Sequence, residues 1–429
     1  MTAIAGEPTA TMPARRWRDP ATWATAVDVL AVLLALSLPW STSLVGILGV
    51  VIVLAMMPFL DVEAFLRSLR RPISALPIVF FLLALVGTLW SDAAWGARVY
   101  AVGPTAKLLV LPFLFYHFER SQRGQWVFVA FLVSCTLLMV MSWIVAFKPG
   151  LALKVIDDGV SRGIFVKNYI DQSQEFTLCA VALAYPTVMS LRAKRIWPAL
   201  LLAALGLSFV VNMAFVIVSR TALVTMPIMA AVFGLLHLRL RTNLMILAAA
   251  IVVAAAAWLA SAQLETTLTR FSTEYREYKD TGRATSIGER LEYWRKSLQF
   301  FVDAPFAGHG TGSTRGLFEK AATGPNGLAA SAVVGNPHNQ TLNVAVQWGV
   351  VGIAVLYAMW TLHLLLFRGE DLANWIGLLV VVQNIFTSLF NSHIFDFHEG
   401  WMYVLGVGVA GGLVLKASGG GARPRSQVI

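Results

Sequence analysis

The 429-residue sequence is poor in charge and in sulfur: 13% of its residues are Asp, Glu, Lys or Arg, and Cys135 and Cys179 are its only cysteines. Both cysteines fall inside apolar runs, where a free thiol behaves as a small hydrophobe, so neither a disulfide framework nor a metal cluster is expected. The first 23 residues are polar or basic and contain no apolar run followed by a small-residue cleavage site. The first apolar run therefore reads as an uncleaved anchor. Internal repeats are missing, and so, with Lys107 as the main exception, are charges deep inside the apolar runs. Transporters that work by alternating access usually have both, so their absence counts against a transporter.

What the sequence has in abundance is apolar surface: 57% of residues are hydrophobic and the mean hydropathy is +0.69. Apolar runs lie near 24–40, 43–60, 73–90, 100–117, 125–147, 173–191, 196–218, 221–238, 243–261, 339–367, 373–391 and 399–416. The expected fold is an all-α polytopic membrane protein with about twelve transmembrane helices. Its divisions are 1–261 with nine spans, an exterior loop at 262–337, and 338–429 with three spans and a tail.

The net charge of +10 is mostly a matter of sidedness. Arg15, Arg16 and Arg18, Arg67, Arg70 and Arg71, Arg120 and Arg123, Arg192, Lys194 and Arg195, Arg239 and Arg241, Arg368, and Lys416, Arg423 and Arg425 fall on alternate connections, whereas 41–43 and 392–398 carry no Lys or Arg. Basic residues in short loops mark the cytoplasm, so both termini are expected there and no nucleic-acid partner is needed to explain the charge. The basic residues of 148–172 and 262–337 fall on the other side; long loops cross regardless of charge.

The long loop has structure of its own. In SIGERLEYWRKSLQFF, Ser286 and Glu289 form a capping box, and Ile287, Leu291, Trp294, Leu298 and Phe301 mark one face of an amphipathic helix that ends before the turn-rich DAPFAGHGTGS. Arg290 sits in the first turn of that helix, where a cation opposes the helix dipole; an anion such as phosphate bound there would explain it, and an ion pair with Glu289, Glu292 or a neighbouring span is the plain alternative. Arg220, in SRTA at 219–222, interrupts nearly forty apolar residues at the exterior end of a hairpin, where snorkelling to the interface is the ordinary explanation.

The stretch NPHNQTLNVAVQWG, 336–349, opens with a helix-start pattern: Asn336 as N-cap, Pro337 at the first helical position and His338 second. The positive end of the dipole disfavours an imidazolium, so His338 is expected to stay neutral and able to accept a proton. Asn339, Gln340, Asn343 and Gln347 fall on one sector of the helix below it, and interhelical hydrogen bonding is the expected role of Asn343 and Gln347. The Asp157–Asp158 pair and the cluster His393, Asp396, His398 and Glu399 lack helical ligand spacing, so no metal is expected.

In combination, SRTA at 219–222, the ER-L--W pattern from Glu289 to Trp294, PFAGHGTG at 305–312 and HNQTL----QWG from His338 to Gly349 resemble the O-antigen ligase and polymerase superfamily over roughly residues 160–400. The resemblance implies a bacterial inner-membrane glycosyltransferase with one large periplasmic loop and an active site on the periplasmic side. Its donor would be an undecaprenyl pyrophosphate-linked glycan. In the ligase branch, which the histidine and arginine pattern favours, the acceptor is a sugar hydroxyl of lipid A-core; in the polymerase branch it is a second lipid-linked repeat. His338 is then the expected general base, and Arg220 and Arg290 are the pyrophosphate ligands, with Arg162 and Lys167 as weaker candidates. No metal or other cofactor is called for, since pyrophosphate is a good leaving group and arginines can neutralise its developing charge.

Overall fold

The computed structural model describes residues 19–153, 163–217, 219–260 and 262–420. Its helices are α1 Pro20–Ser37, α2 Thr42–Met56, α3 Val62–Leu69, α4 Pro72–Val86, α5 Trp95–Ala106, α6 Val110–Phe118, α7 Gly124–Phe147, α8 Tyr169–Ala182, α9 Ala184–Arg192, α10 Ile196–Phe215, α11 Arg220–His237, α12 Leu240–Ala260, α13 Ala262–Thr281, α14 Ser286–Asp303, α15 Thr314–Lys320, α16 Gln340–Leu366, α17 Leu372–Thr387 and α18 Phe397–Gly420. Among the described residues the only β pairing is an isolated bridge between Arg283 and Leu328.

Among the described residues, eight helical stretches are long and apolar enough to cross a membrane, α5 and α6 counting as one (Trp95–Phe118), and nine if α3 and α4, bent by 83° where Pro72 follows Arg71, also count as one span. The expectation of twelve thus exceeds what length and composition support among the described residues. Two of the shortfalls have a visible cause. Helix α17 is only 16 residues long. The run at 173–191 divides into α8 and α9, and α8 buries Gln172, Ser173, Gln174, Glu175 and Thr177, so it is an internal polar helix instead of a lipid-facing one.

The core runs along α18, which packs on α6 and α17 with Tyr403, Val404, Val407 and Ala410 almost fully buried. Phe80 of α4, Trp348 of α16 and Phe395 close it near one end, with Trp348 meeting both rings edge-on at 5.4 and 5.9 Å. The opposite end is tied by polar contacts among the basic connections. Arg71 donates to both oxygens of Glu119 at 2.9 Å, His117 meets Asp28 at 2.7 Å, and Lys416 donates to the Ser121 carbonyl at 2.8 Å. Connections that share an excess of Lys and Arg therefore share one end of the bundle.

The segment 281–339 covers the other end. Helix α14 has the expected extent, but Thr285, not Ser286, is the N-cap, accepting from the Gly288 N–H. The face it packs is also shifted. Tyr293, Lys296, Ser297 and Phe300 are buried, against Phe318 and Val346, whereas Leu298 is 54% exposed. Tyr293 and Phe300 both meet the Phe318 ring edge-on, which turns their side of the helix inward and leaves Ile287, Leu291, Trp294 and Phe301 only partly buried.

The turn that follows is wedged into a break in α16. Gly349 has φ 57° and ψ −150°, a conformation essentially restricted to glycine, which frees the carbonyls of Val346 and Gln347. They accept from the N–H groups of His309 and Gly310 at 2.9 Å, and the Val350 N–H donates to Pro305 at 2.8 Å. Thr311 completes the join, donating to the Ala84 carbonyl and accepting from the Trp348 indole at 2.6 and 2.8 Å. PFAGHGTG and QWG are thus two halves of one backbone joint.

Candidate functional site

His338 does not sit in a helix. The N-cap of α16 is Asn339, whose side chain accepts from the Leu342 N–H, and His338 lies before it with φ 53°. The expected start at Asn336 and Pro337 is displaced by three residues because the Asn336 side chain is engaged elsewhere: its Oδ1 accepts from the His338 N–H at 2.9 Å and from Ser392 Oγ at 2.7 Å. A left-handed backbone at a non-glycine residue costs on the order of 1 to 3 kcal/mol, and this pair of bonds holds it.

The imidazole is half-buried and stacks on Tyr293 of α14, with ring centroids 6.0 Å apart and 29° between planes. Its Nδ1 meets Asn391 Oδ1 at 2.9 Å, and Nε2 makes no hydrogen bond among the described residues. Burial lowers the pKa of His338, the Arg290 charge lowers it further, and the Asn391 hydrogen bond works the other way. The net direction is down, so the ring is neutral at neutral pH, as expected, although the cause is burial and Arg290 instead of the helix dipole.

Arg290 is three residues from Tyr293 on α14 and so presents to the same side of that helix. It makes no hydrogen bond or ion pair among the described residues. Neither acidic candidate takes it: Glu292 instead accepts from Arg295 at 2.8 Å and from the Tyr278 hydroxyl at 2.9 Å. Burial lowers the Arg290 pKa, with Tyr169 and Glu274 acting against burial and Arg220 with it. Arg220 is close enough for its charge to act there, but its guanidinium is occupied, donating to the two oxygens of Glu274 of α13 at 3.1 and 2.8 Å.

The two weaker candidates fall elsewhere. Arg162, with Asp157 and Asp158, lies outside the described residues. Lys167 is drawn into the interior, where its ammonium contacts the Leu38 carbonyl and His398 Nδ1, while His398 Nε2 contacts Glu175. Burial lowers the Lys167 pKa. Nothing in the sequence signals this pairing of residues more than two hundred positions apart.

The polar stripe of α16 joins two connections. Gln340 Oε1 accepts from the Ile394 N–H, Asn343 donates to Ser392 Oγ, and Gln347 donates to Asn343 while accepting from the Gly312 N–H, all near 2.9 to 3.0 Å. Asn343 and Gln347 hence carry hydrogen bonds between elements, as expected of them.

A second ionisable group lies beside His338, in and after the connection between α17 and α18. One ligand atom each from His393, Asp396 and Glu399 falls within a 4.8 Å group, so the fold brings together residues whose spacing had argued against a cluster. His393 is buried, and neither ring nitrogen makes a hydrogen bond among the described residues, although Nε2 lies 3.9 and 4.0 Å from carboxylate oxygens of Asp396 and Glu399; burial, with the Arg290 and His338 charges, lowers its pKa to about 3. Burial raises Asp396 to about 7, against the opposing charge of Lys107, whose ammonium donates to the carbonyls of Phe395 and Asp396. Asn391 was missed in the sequence, having no motif around it; its importance appears only through its contacts.

At this end of the bundle a neutral imidazole, its Nε2 without a hydrogen bond among the described residues, feels the charge of a guanidinium that has no hydrogen-bond or ion-pair partner among those residues. Such a pair can take a proton from a hydroxyl and hold an anion. Residues 205–357 match the family model described as O-antigen ligase, a stretch that includes Arg220, Arg290 and His338. No curated protein matches the chain.

Proposed function

We propose, on the premise that the chain is a member of the O-antigen ligase and polymerase superfamily, that it is the ligase: a glycosyltransferase that moves O-antigen glycan from undecaprenyl pyrophosphate to a sugar hydroxyl of lipid A-core at the periplasmic face of the inner membrane. The observation that carries this reading is that the charge of Arg290, which has no hydrogen-bond or ion-pair partner among the described residues, acts on a neutral His338 at the loop-covered end of a membrane bundle.

In the proposed reaction the acceptor hydroxyl attacks the anomeric carbon, the bond from that carbon to the pyrophosphate oxygen breaks, and the configuration inverts. His338 Nε2 takes the hydroxyl proton and later returns it to solvent; undecaprenyl pyrophosphate leaves with its charge held by Arg290. Arg220 would join it by exchanging the two oxygens of Glu274 for two of the pyrophosphate. The scheme uses no metal, because the arginines supply the charge that leaving-group departure needs.

The test is transfer by the purified full chain in liposomes, given undecaprenyl pyrophosphate-linked O-antigen with either lipid A-core or a second lipid-linked repeat. Glycosylated lipid A-core is the expected product. Growth of the lipid-linked chain alone would make the protein a polymerase, and donor movement with neither product a carrier. His338→Ala should abolish transfer with the melting temperature nearly unchanged; a variant as active as the parent would end the general-base assignment.

A further inference from the structure

A histidine serves as a base only if the correct nitrogen is bare, and neutral imidazole has two tautomers. In most sites the choice is ambiguous because a side-chain amide beside the ring can be turned either way. Here the amide is fixed through Asn336. The backbone N–H of His338 can only donate, so the Asn336 atom that meets it at 2.9 Å is Oδ1. The other end of that amide, Nδ2, must then donate, and at 3.0 Å it meets Asn391 Oδ1. On the far side Asn391 Nδ2 donates to Asp396 Oδ2 at 2.6 Å. Turning the Asn391 amide over would set its Nδ2 against the Asn336 Nδ2, two donors with no acceptor between them.

We propose that Asn391, held by Asn336 and Asp396, is the positioning residue of the site: its Oδ1 accepts from His338 Nδ1–H and so leaves Nε2 as the bare, basic nitrogen. This rests on the reading of His338 as the base. The chemistry of an amide suits the task in a way a carboxylate would not. A carboxylate at this place would favour the imidazolium and raise the histidine pKa, filling Nε2 with a proton before the acceptor arrives. The amide oxygen fixes the tautomer and still meets the Nδ1–H when the ring becomes positive during transfer. It cannot take that proton, so the charge stays on the ring until Nε2 gives the proton up to water. Asp396 stands one bond further back, where it orients the amide without touching the ring.

The backbone at His338 is left-handed. The strained residue is the one through which the amide chain is fixed.

Two measurements on the full chain in detergent or liposomes test this. The first is the 15N spectrum of the His338 ring in the unaltered protein at neutral pH, where Nδ1 should carry the proton and Nε2 none. The second is the kinetics of Asn391→Ala, where turnover should fall about 10- to 100-fold, as is typical when a partner orienting a functional histidine is lost, with the donor KM and melting temperature close to the parent's. The ring spectrum of the variant should show a mixture of tautomers. A protonated Nε2 in the unaltered protein would overturn the proposal even if the variant failed to fold. So would Asn391→Ala turning over like the parent while His338→Ala is dead. If His338→Ala itself is active, the base reading falls, which is a separate outcome.

Discussion

At the scale of single residues, Arg290 does two things that can be separated. Its charge lowers the His338 pKa below the ordinary 6.5, and its planar fork can hold two oxygens of a pyrophosphate in parallel. Arg290→Lys keeps the charge and loses the fork. A charge-assisted bond is worth about 1.5 to 3 kcal/mol, so activity should fall by roughly 10- to 100-fold. The acid limb of kcat/KM, where protonation of Nε2 removes the base, should stay below 6.5 in that variant. Arg290→Gln removes the charge as well, and its limb should move upward toward the ordinary histidine value. The check is a pH series on all three proteins. A lysine variant with full activity, or a glutamine variant whose limb moves down, would reduce Arg290 to a structural residue.

The same scale shows what the sequence made legible. His338 and Arg290 stand out from it because each is out of place by a local rule, a cation near a helix N-terminus and a histidine at a membrane surface. Asn391 breaks no local rule, and its role depends on Asn336 and Asp396, which the chain brings to it across 55 and 5 residues. The helix start was misplaced by three residues because Asn336 and Asn339 both satisfy the local pattern, and the partner that decides between them, Ser392, is 56 residues away from Asn336. Thr285 and Ser286 pose the same ambiguity in adjacent hydroxyls.

At the scale of elements, the joint between 305–312 and α16 holds the loop on the bundle and so holds α14, with Arg290 and Tyr293, against His338. Glycines in PFAGHGTG announced turns, but nothing local distinguished Gly349 from any glycine tolerated inside a membrane helix. Its conformation comes from a segment more than forty residues earlier. A Cβ at Gly349 would lie 2.4 Å from the Phe306 carbonyl oxygen, in a region of φ and ψ that residues with a side chain avoid. Gly349→Ala should therefore cost several kcal/mol, adding backbone strain of about 1 to 3 kcal/mol to the clash. Thermal unfolding in detergent should show a much lower melting temperature, and activity should fall with it. This is the reverse of the Arg290 variants, where activity goes and stability stays. An alanine variant that melts with the parent would mean that the break in α16 is not required.

At the scale of the whole molecule, the site has to face the side where donor and acceptor meet, and the charge pattern predicts which side that is. The connections rich in Lys and Arg converge at the end held by Arg71–Glu119 and His117–Asp28, while His338, Arg290 and the loop lie at the other. Basic short loops stay in the cytoplasm, so the loop end should be exterior. The scarcity of cysteine makes this directly measurable. Cys135 and Cys179 are buried, so the parent chain should be inert to a membrane-impermeant maleimide. Thr42, Asn326 and Ala193 are exposed, the first two at the loop end and the third at the basic end. Single variants Thr42→Cys and Asn326→Cys should label in intact spheroplasts, and Ala193→Cys only after the membrane is made permeable. The opposite pattern would put His338 in the cytoplasm, away from the periplasmic side that the proposed ligation requires, and would end that proposal whatever the kinetics of its variants.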